Sequence, residues 1–386
     1  MPSKLAAHSD EAGAVLRAPQ GFIDVDGVAR YSSGAPLPTA SDGCGKGDEQ
    51  ALVKHINSSN ADVVTVNAPM AAITSKLSAK QFHWMVELLP QIALLLNAAA
   101  SKHQTSMVSL QQPGASRQWT DAVQVLVSCK GTYVKESLGL LGVEEQRVVC
   151  FKPGRVYRTT STLFWPQAVL CGGVRAGAAA MLRHTAIRPE LRPIANAWEI
   201  EHRGKVIVHR RLTRSRALLN HERVIEVLRL QPSLRDALVE LDSGSGRARG
   251  GKSTTLRSQV ELFRGARCQI GPHGISLAFM LFAPSPGFGT AEVTPGAYFI
   301  VATDTSIRSV PAPPGGPGRT SLYVNRNRSR ASPWASKPQP NPSFRRLAAT
   351  LGMRHEWIIV PGAAADDNMA PEPNEVAAMA LRVCHQ

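Results

Sequence analysis

The 386-residue sequence lacks several features that would assign its class directly. It has no run of about 20 apolar residues, so no membrane-spanning helix is visible. Its first 45 residues show no basic-then-apolar signal pattern. Aromatic residues make up only 5% of the chain and no RNA- or DNA-binding signature occurs, which argues against a nucleic-acid-binding module. No pair of cysteines has C-x-x-C spacing, so neither a zinc site nor a dithiol redox site is indicated, and disulfide pairing stays open: Cys44, Cys129, Cys150, Cys171, Cys268 and Cys384.

Negative charge is also in short supply. Lys and Arg number 44 against 29 Asp and Glu, which gives a net charge of +15, and most of the excess is arginine. Such a balance favours anionic partners, among them phosphate-bearing ligands. Much of this charge belongs to ordinary solvated surface, so only arginines at special positions in the fold become candidates for ligand binding.

The length of the chain suits two domains, and a hydrophobic content of 43% is ample for buried cores. We expect a flexible N-terminal arm over residues 1–45, a first domain over 46–200 and a second over 201–386. Residues 308–343 are rich in Pro, Gly, Ser and Arg, and this composition predicts a disordered surface insertion within the second domain.

The stretch from 201 to 295 alternates β-branched runs with amphipathic ones. This rhythm predicts strands at 205–208, 237–241, 267–270 and 290–293, and helices at 220–230, 255–266 and 275–282. Alternating strands and helices indicate an α/β domain with a parallel sheet, which binds ligands outside the carboxyl ends of its strands. Those ends carry His209, Arg210 and Arg211, then Asp242, the segment 271–274 and Thr294.

The segment "GPHGIS" at 271–276 lies on that expected binding edge. Gly271 and Gly274 allow a sharp turn around His273. The first amides of the following helix, at Ile275 and Ser276, can bind phosphate oxygens, helped by the helix dipole. The alternative for His273 is a structural histidine in a turn.

The strongest helical signal in the first half is "KQFHWMVELLPQIALLL" at 80–96. Its apolar residues cover a wide face, and Pro90 should kink it because proline removes a backbone donor. His83, Glu87 and Gln91 recur every four residues and share one polar stripe. The stripe is either a solvated face or a pair of candidate catalytic groups.

Three ordered blocks resemble glycosyltransferase family 61, which includes plant xylosyl- and arabinosyltransferases and an O-GlcNAc transferase of secreted proteins. The family's H-W-x-x-[DE]-x-L-P helix is matched by "HWMVELLP" at 83–90. Its arginine-rich strand end with a following Arg…Asn is matched by Arg210 or Arg211, Arg216 and Asn220. Its G-P-H-G loop and E-[IV]-x-P strand are matched by "GPHG" at 271–274 and "EVTP" at 292–295, and "FRRLAATLGMRHEW" at 344–357 resembles its C-terminal helix.

The resemblance implies a GT-B arrangement, in which two Rossmann-like domains face a cleft, and an inverting transfer from a nucleotide sugar, with UDP as the expected nucleotide, to a glycan or glycoprotein. Bidentate arginines suit a diphosphate, and His273 can donate to it as charge builds on the leaving group. The expected nucleotide-sugar site comprises Arg210, Arg211, Arg216, Gly271, His273, Gly274, Ile275, Ser276 and Glu292, with Glu292 accepting from ribose hydroxyls. Glu87 is the preferred catalytic base with His83 orienting it, although the two roles can be exchanged.

The resemblance also implies work in the secretory pathway, in the Golgi or ER lumen. Arg and His can replace a metal in holding a diphosphate, so we expect transfer without a metal or other cofactor. The Ile275–Ser276 pair departs from the family's usual Ala-Gly.

Two other functions compete with this interpretation. "GRARGGKS" at 246–253 fits the P-loop spacing G-x-x-x-x-G-K-[ST], which would make the protein a nucleotide phosphotransferase or ATPase using Lys252. Its long Gly/Arg/Ser-biased surroundings favour a low-complexity loop instead. The other alternative is a family member that binds glycans without catalysis.

Overall fold

The computed structural model describes residues 15–24, 27–37, 40–42, 62–74, 80–104, 123–166, 168–170, 174, 176–185, 203–210, 216–242, 247–248, 255–283, 287–297, 307–310, 322–325, 343–364 and 367–385. The chain is α/β and divides into two compact units. One comprises Met1–Glu201 and Leu256–Glu261, and the other comprises His202–Thr255 and Leu262–Gln386. The arm expected over 1–45 contains short strands from Val15 onward.

The first unit contains three sheets. Its strands are β1 Val15–Pro19, β2 Phe22–Ile23, β3 Ala29–Arg30, β4 Ala40–Asp42, β5 Asp62–Val66, β6 Met70–Ile73, β7 Gln124–Val127, β8 Val148–Cys150, β9 Arg155–Thr159, β10 Thr162–Pro166 and β11 Ala168–Leu170. The strand orders are β1-β10-β6-β7-β8, β3-β2-β9-β5 and β11-β4. Strands β10, β6, β7 and β8 run parallel, as expected for strands connected through helices.

The helices of this unit are α1 Gln81–His83, a π-helical turn Trp84–Leu88, α2 Leu89–Gln104, α3 Thr132–Leu140, a 3₁₀ turn Glu145–Arg147 and α4 Ala176–Thr185. The kink predicted at Pro90 takes the form of the π turn just before it, which accommodates the ring of a proline that has no amide to donate. The segment Gln81–Ala99 is long and apolar enough to cross a membrane, but most of it is buried inside the protein, as in a core helix.

The second unit is built on the predicted parallel sheet. Its strands are β12 Lys205–Arg210, β13 Leu238–Asp242, β14 Arg247–Ala248, β15 Ala266–Pro272, β16 Gly289–Ala297, β17 Ile307–Val310, β18 Leu322–Asn325 and β19 Arg354–Ala364. The main sheet has the order β14-β13-β12-β15-β16-β19, and only β14 is antiparallel to its neighbour. Counted along the chain, the five parallel strands follow the doubly wound order 2-1-3-4-5, whose topological switch point lies between β12 and β15.

The remaining helices are α5 His221–Arg229, α6 Pro232–Arg235, α7 Leu256–Gly265, the 3₁₀ helix Ile275–Phe282, α8 Ser343–Thr350 and α9 Pro373–Cys384. Apolar residues of α5 and α9 pack on one face of the sheet, against Val206, Val208, Cys268 and Ile270. Phe263 of α7, the 3₁₀ helix and Phe344 of α8 meet the other face. Layers therefore cover the sheet on both sides, as buried parallel strands require.

Several boundaries differ from the sequence expectation. The helix expected to extend over 344–357 ends at Thr350, because Gly352 has a left-handed φ of 66° that terminates it, and β19 follows. Asn220 stands at the N-cap of α5, but its amide donates to the Pro371 carbonyl (2.7 Å) instead of capping. The segment 275–282 is 3₁₀ rather than α-helical. Part of the insertion expected to be disordered pairs as β17 and β18.

Two disulfides are present among the described residues. Cys129–Cys150 joins the end of β8 to the residues after β7, and Cys268–Cys384 joins β15 to the end of α9. Cys268 and Cys384 belong to the buried apolar cluster of the second unit. The second bridge therefore ties the strand that leads to His273 to the C-terminal helix.

We predict that replacing Cys268 and Cys384 together by Ala lowers the free energy of unfolding by roughly 2–5 kcal/mol. The bridge spans 116 residues, and closing so long a loop removes much entropy from the unfolded chain. Chemical denaturation of the double variant and the unaltered protein measures the difference. A loss below about 1 kcal/mol would contradict the prediction, and a thiol titration of the unaltered, unfolded protein checks that the bridge was formed.

Candidate functional site

The carboxyl edge of the second sheet is organised by a buried carboxylate. Glu292 of β16 is fully buried and accepts two hydrogen bonds, one per oxygen. His273 Nδ1 donates to Oε1, and His355 Nε2 of β19 donates to Oε2 at 2.7 Å. His273 follows the last residue of β15, and its backbone amide donates to Val293 (2.8 Å). Both imidazoles are almost completely buried.

The protonation state of Glu292 follows from these contacts. Burial alone raises the pKa of its carboxyl, but the hydrogen bonds and charge interactions of His273 and His355 outweigh burial and hold the pKa below the ordinary value. Glu292 is therefore ionised at neutral pH. The predicted contact of Glu292 with ribose hydroxyls does not fit this environment, because both oxygens face imidazoles and the side chain is not exposed.

A second network of hydrogen-bonded polar side chains lies on the same face of the sheet. Gln269 Nε2 donates to the Leu277 carbonyl (3.0 Å) and to Thr290 Oγ1 (3.1 Å). Its Oε1 must therefore accept from His209 Nε2 (3.0 Å), which fixes the proton of this neutral imidazole on Nε2. Burial lowers the pKa of His209 to about 4, although the hydrogen bond to Gln269 opposes this shift.

His209 also explains the glycine at 271. A Cβ added to Gly271 would lie 2.8 Å from the Cβ of His209 and 3.0 Å from its Cδ2. Glycine is thus required by close approach inside β15 and not by a turn. Gly274 is extended, with φ 167° and ψ 175°, and the chain bends at 273 and 274 before the 3₁₀ helix begins.

The expected phosphate-binding amides lie directly after His273. The first helical bond runs from the Leu277 amide to the Gly274 carbonyl (3.1 Å), so the amides of Gly274, Ile275 and Ser276 precede the hydrogen-bonded ladder of the 3₁₀ helix. Amides at such a terminus suit anionic oxygens. Ser276 is buried and Ile275 is partly exposed. Six predicted site residues therefore lie together at this edge: Gly271, His273, Gly274, Ile275, Ser276 and Glu292.

The arginines are distributed differently. Arg210 ends β12, the neighbour of β15, but it lies on the α5 face, where it pairs with Glu222 (3.1 Å). His273 lies on the opposite face beside Phe344. Arg210 and His273 therefore share an edge of the sheet without sharing a face.

Arg216 adopts a left-handed φ of 58°, a strained backbone that costs about 1–3 kcal/mol and often marks functional sites. Arg211 lies outside the described residues.

The first unit contains a separate histidine–carboxylate pair. His83 Nδ1 lies 2.8 Å from Glu87 Oε1, and the pair spans the π-helical turn. Glu87 is buried, whereas the His83 side chain is 22% exposed. The imidazole is therefore the member that a ligand can reach. Gln91 is buried as well, so the stripe of His83, Glu87 and Gln91 is not a solvated face.

The P-loop alternative loses support from β14. Arg247 and Ala248 pair antiparallel with Asp242 and Leu241, whereas a P-loop would wrap phosphates with its backbone amides at this position. Lys252 lies outside the described residues.

Sequence reasoning missed Gln269 and His355, and it placed His209 at a strand end without giving it a role. A signal for His209 and Gln269 existed, since each follows apolar residues of its strand with a buried polar side chain. The side-chain partners of the three residues are 21 to 63 residues away along the chain, and only the strand order brings them together.

We predict that Gly271→Ala destabilises the second unit by about 1–3 kcal/mol, because the new methyl group overlaps His209. The matched control is Gly139→Ala in α3, where an added Cβ meets nothing within 4 Å and alanine improves helix propensity by up to about 1 kcal/mol. Thermal and chemical unfolding compare the two. Equal stabilities would show that the close approach is not a constraint.

We predict that stability falls on acidification because His209 resists protonation. Its pKa is about 4 in the folded chain and 6.5 ordinarily, so between these values the unfolded chain binds more protons. Lowering the pH from 7 to 5 should remove about 2 kcal/mol through this residue. Unfolding free energies of the unaltered protein and His209→Gln at both pH values measure it. The same pH dependence in both proteins would contradict the assignment.

Comparison with known proteins identifies the family. The family described as Glycosyltransferase 61 matches residues 82–288, which include His83, Glu87, Arg210, Arg216 and the segment 271–276. No curated protein matches the sequence closely enough to be reported. Because the match covers more than half of the chain, the protein belongs to glycosyltransferase family 61.

Proposed function

We propose that the protein is an inverting glycosyltransferase that moves a sugar from a UDP donor to a hydroxyl group of a glycan or glycoprotein. Family membership indicates glycosyltransferase activity in general. The observation that carries the finer proposal is the position of His273, held by Glu292 beside the amides of residues 274–276 at the switch point of the second sheet.

The donor side is assigned to the second unit. Nδ1 of His273 is committed to Glu292, so a ligand contact is made through Nε2. A diphosphate bound there accepts from Nε2–H of the imidazolium form of His273, whose charge Glu292 balances, and from the amide groups at the start of the 3₁₀ helix. As the bond from the sugar to the diphosphate breaks, charge develops on the leaving oxygen, and fixed donors stabilise it without reorganisation. Arg211 and Arg216 are proposed to complete this site.

The acceptor side is assigned to the first unit, with the roles of its pair exchanged relative to the sequence preference. His83 is proposed as the base because its imidazole is partly exposed, and Glu87 as the buried group that orients it through Nδ1. An imidazole held in this way presents Nε2 to an acceptor hydroxyl, and the carboxylate stabilises the imidazolium that forms. In an inverting transfer the activated hydroxyl attacks the anomeric carbon on the face opposite the departing diphosphate.

The cellular setting is proposed from two observations. Family members are typically secretory-pathway enzymes, and two disulfides occur among the described residues. Disulfides persist in oxidising compartments, which supports the Golgi or ER lumen. A GT-B arrangement of the two units and transfer without a metal ion are part of the same proposal.

Donor binding tests the proposal. We expect a thermal-shift panel to give stabilisation by UDP and by one UDP-sugar, unchanged in EDTA, and none by ATP. Transfer by Lys252→Ala should equal that of the unaltered protein. Stabilisation by ATP together with a loss of activity in Lys252→Ala would replace the proposal by the P-loop function. Binding of a glycan without transfer from any donor would support the catalytically inactive alternative.

We predict that His83→Gln lowers turnover by ~10²-fold or more, the usual scale for loss of a general base. Glu87→Gln, which keeps an acceptor but removes the charge, should lower it less. Nucleotide-sugar affinity should stay near the unaltered value in both variants, since donor contacts are assigned to the second unit. Titration calorimetry and initial rates measure the two quantities. Equal turnover in His83→Gln and the unaltered protein would exclude His83 as the base.

A further inference from the structure

Glu292 has a second imidazole partner that the family resemblance did not indicate. His355 stands on β19, 63 residues from Glu292, and lies outside the matched residues 82–288. In the register of β16 and β19, Glu292 faces Trp357, and His355 faces Thr290, so His355 reaches the carboxylate diagonally on the same face. Its ring is nearly inaccessible and meets Trp357 edge-on at 5.6 Å.

The hydrogen bonds define which atom of His355 carries its proton. Glu292 is an ionised acceptor, so His355 Nε2 must donate to Oε2. Nδ1 of His355 is buried without a hydrogen-bond partner among the described residues. His355 therefore gives Glu292 one hydrogen bond through Nε2, and its other nitrogen makes none within the described part of the chain.

We propose that His355 is a positioning residue that acts on His273 through Glu292. It occupies Oε2, so that the carboxylate has one orientation and presents Oε1 to His273 Nδ1. The ring of His273 is then held in one orientation through Nδ1–H, and Nε2 faces the ligand, to which it donates when the ring is the imidazolium. This inference rests on the proposed function for its catalytic consequence, whereas its effect on the His273 ring depends only on the geometry.

A carboxylate that accepts a hydrogen bond on one oxygen can rotate more freely than one that accepts on both. Without His355, Glu292 would bury an oxygen with no donor, and it could relieve this by rotating or by taking up a proton. Either change weakens the hydrogen bond to His273 Nδ1 and lets the ring turn away from the orientation in which Nε2 faces the ligand. The effect on the transition state should exceed the effect on ground-state binding, because charge on the leaving group develops only during the reaction.

Three variants separate a positioning role of His355 from a role in general stability. His355→Leu removes the hydrogen-bond donor to Glu292, and His355→Gln places an amide N–H near the former Nε2. His355→Asn replaces His355→Leu if the latter does not fold, since its shorter amide stops before Glu292. We expect His355→Leu to lower kcat by roughly tenfold or more, with a smaller change in donor affinity, and His355→Gln to recover most of the loss.

The structural arm uses long-range ¹H–¹⁵N NMR of ¹⁵N-histidine-labelled full-length protein, with His273 assigned by comparison with His273→Gln. The expected result is a hydrogen-bonded Nδ1 proton of His273 in the unaltered protein and in His355→Gln, and a loss or upfield shift of that proton signal in His355→Leu. An unchanged Nδ1–H signal of His273 in folded His355→Leu, or in His355→Asn if it is used instead, would overturn the proposal.

The activity measurements and the NMR measurement test the proposed function and the positioning role independently. If no nucleotide sugar binds and no transfer occurs, the proposed function fails, while the NMR arm still decides how His355 acts on His273. If transfer occurs and His355→Leu and His355→Gln lose activity equally, with no change in the His273 signals, His355 is a packing residue and the positioning role is wrong.

Discussion

The buried charge of Glu292 is the constraint on which the second unit depends. An ionised carboxylate in a protein interior is costly unless its oxygens are hydrogen-bonded, and here two imidazoles from different segments supply the donors. This requirement holds the residue after β15 against β16 and β19 at the sheet's carboxyl edge. The Cys268–Cys384 bridge and the close contact between Gly271 and His209 also fix the position of β15. Loop geometry at 271–276 is thus set by the interior, before any ligand binds.

The first unit repeats the same chemistry with a different backbone. His83 and Glu87 lie within one helical segment, and a π turn, a device often found at functional sites, lies between them. In both units a buried carboxylate engages Nδ1 of an imidazole. The proposed division gives the two imidazoles opposite tasks, one accepting a proton from the acceptor and the other donating to the diphosphate. Each task needs a ring held in one orientation by a carboxylate at Nδ1: Nε2 of a neutral ring accepts a proton, whereas Nε2 donates only from the imidazolium, which the carboxylate charge stabilises.

The sequence predicted the parallel sheet, its strand positions and the residues of the 271–276 segment, because periodicity and ordered motifs are local signals. It did not predict why Gly271 is needed, since the neighbour that excludes a Cβ is His209 on another strand. The sequence also did not show that Glu87 is buried and His83 partly exposed. Spacing along a helix tells which residues share a face, but not which of them the rest of the protein buries. Arg210 illustrates a further limit. The end of a strand tells which edge of the sheet a residue lies on, but successive side chains alternate between the two faces of the sheet. Arg210 therefore shares the edge with His273 and lies on the opposite face.

The proposal that His273 receives the diphosphate of a nucleotide sugar is best tested by a crystal structure of the protein with UDP. We expect a phosphate oxygen about 3 Å from His273 Nε2, further phosphate oxygens on the amides of residues 274–276, and Glu292 still bound to both imidazoles. A diphosphate held by the 246–253 segment, with the His273 ring out of hydrogen-bond reach of every phosphate oxygen, would contradict it.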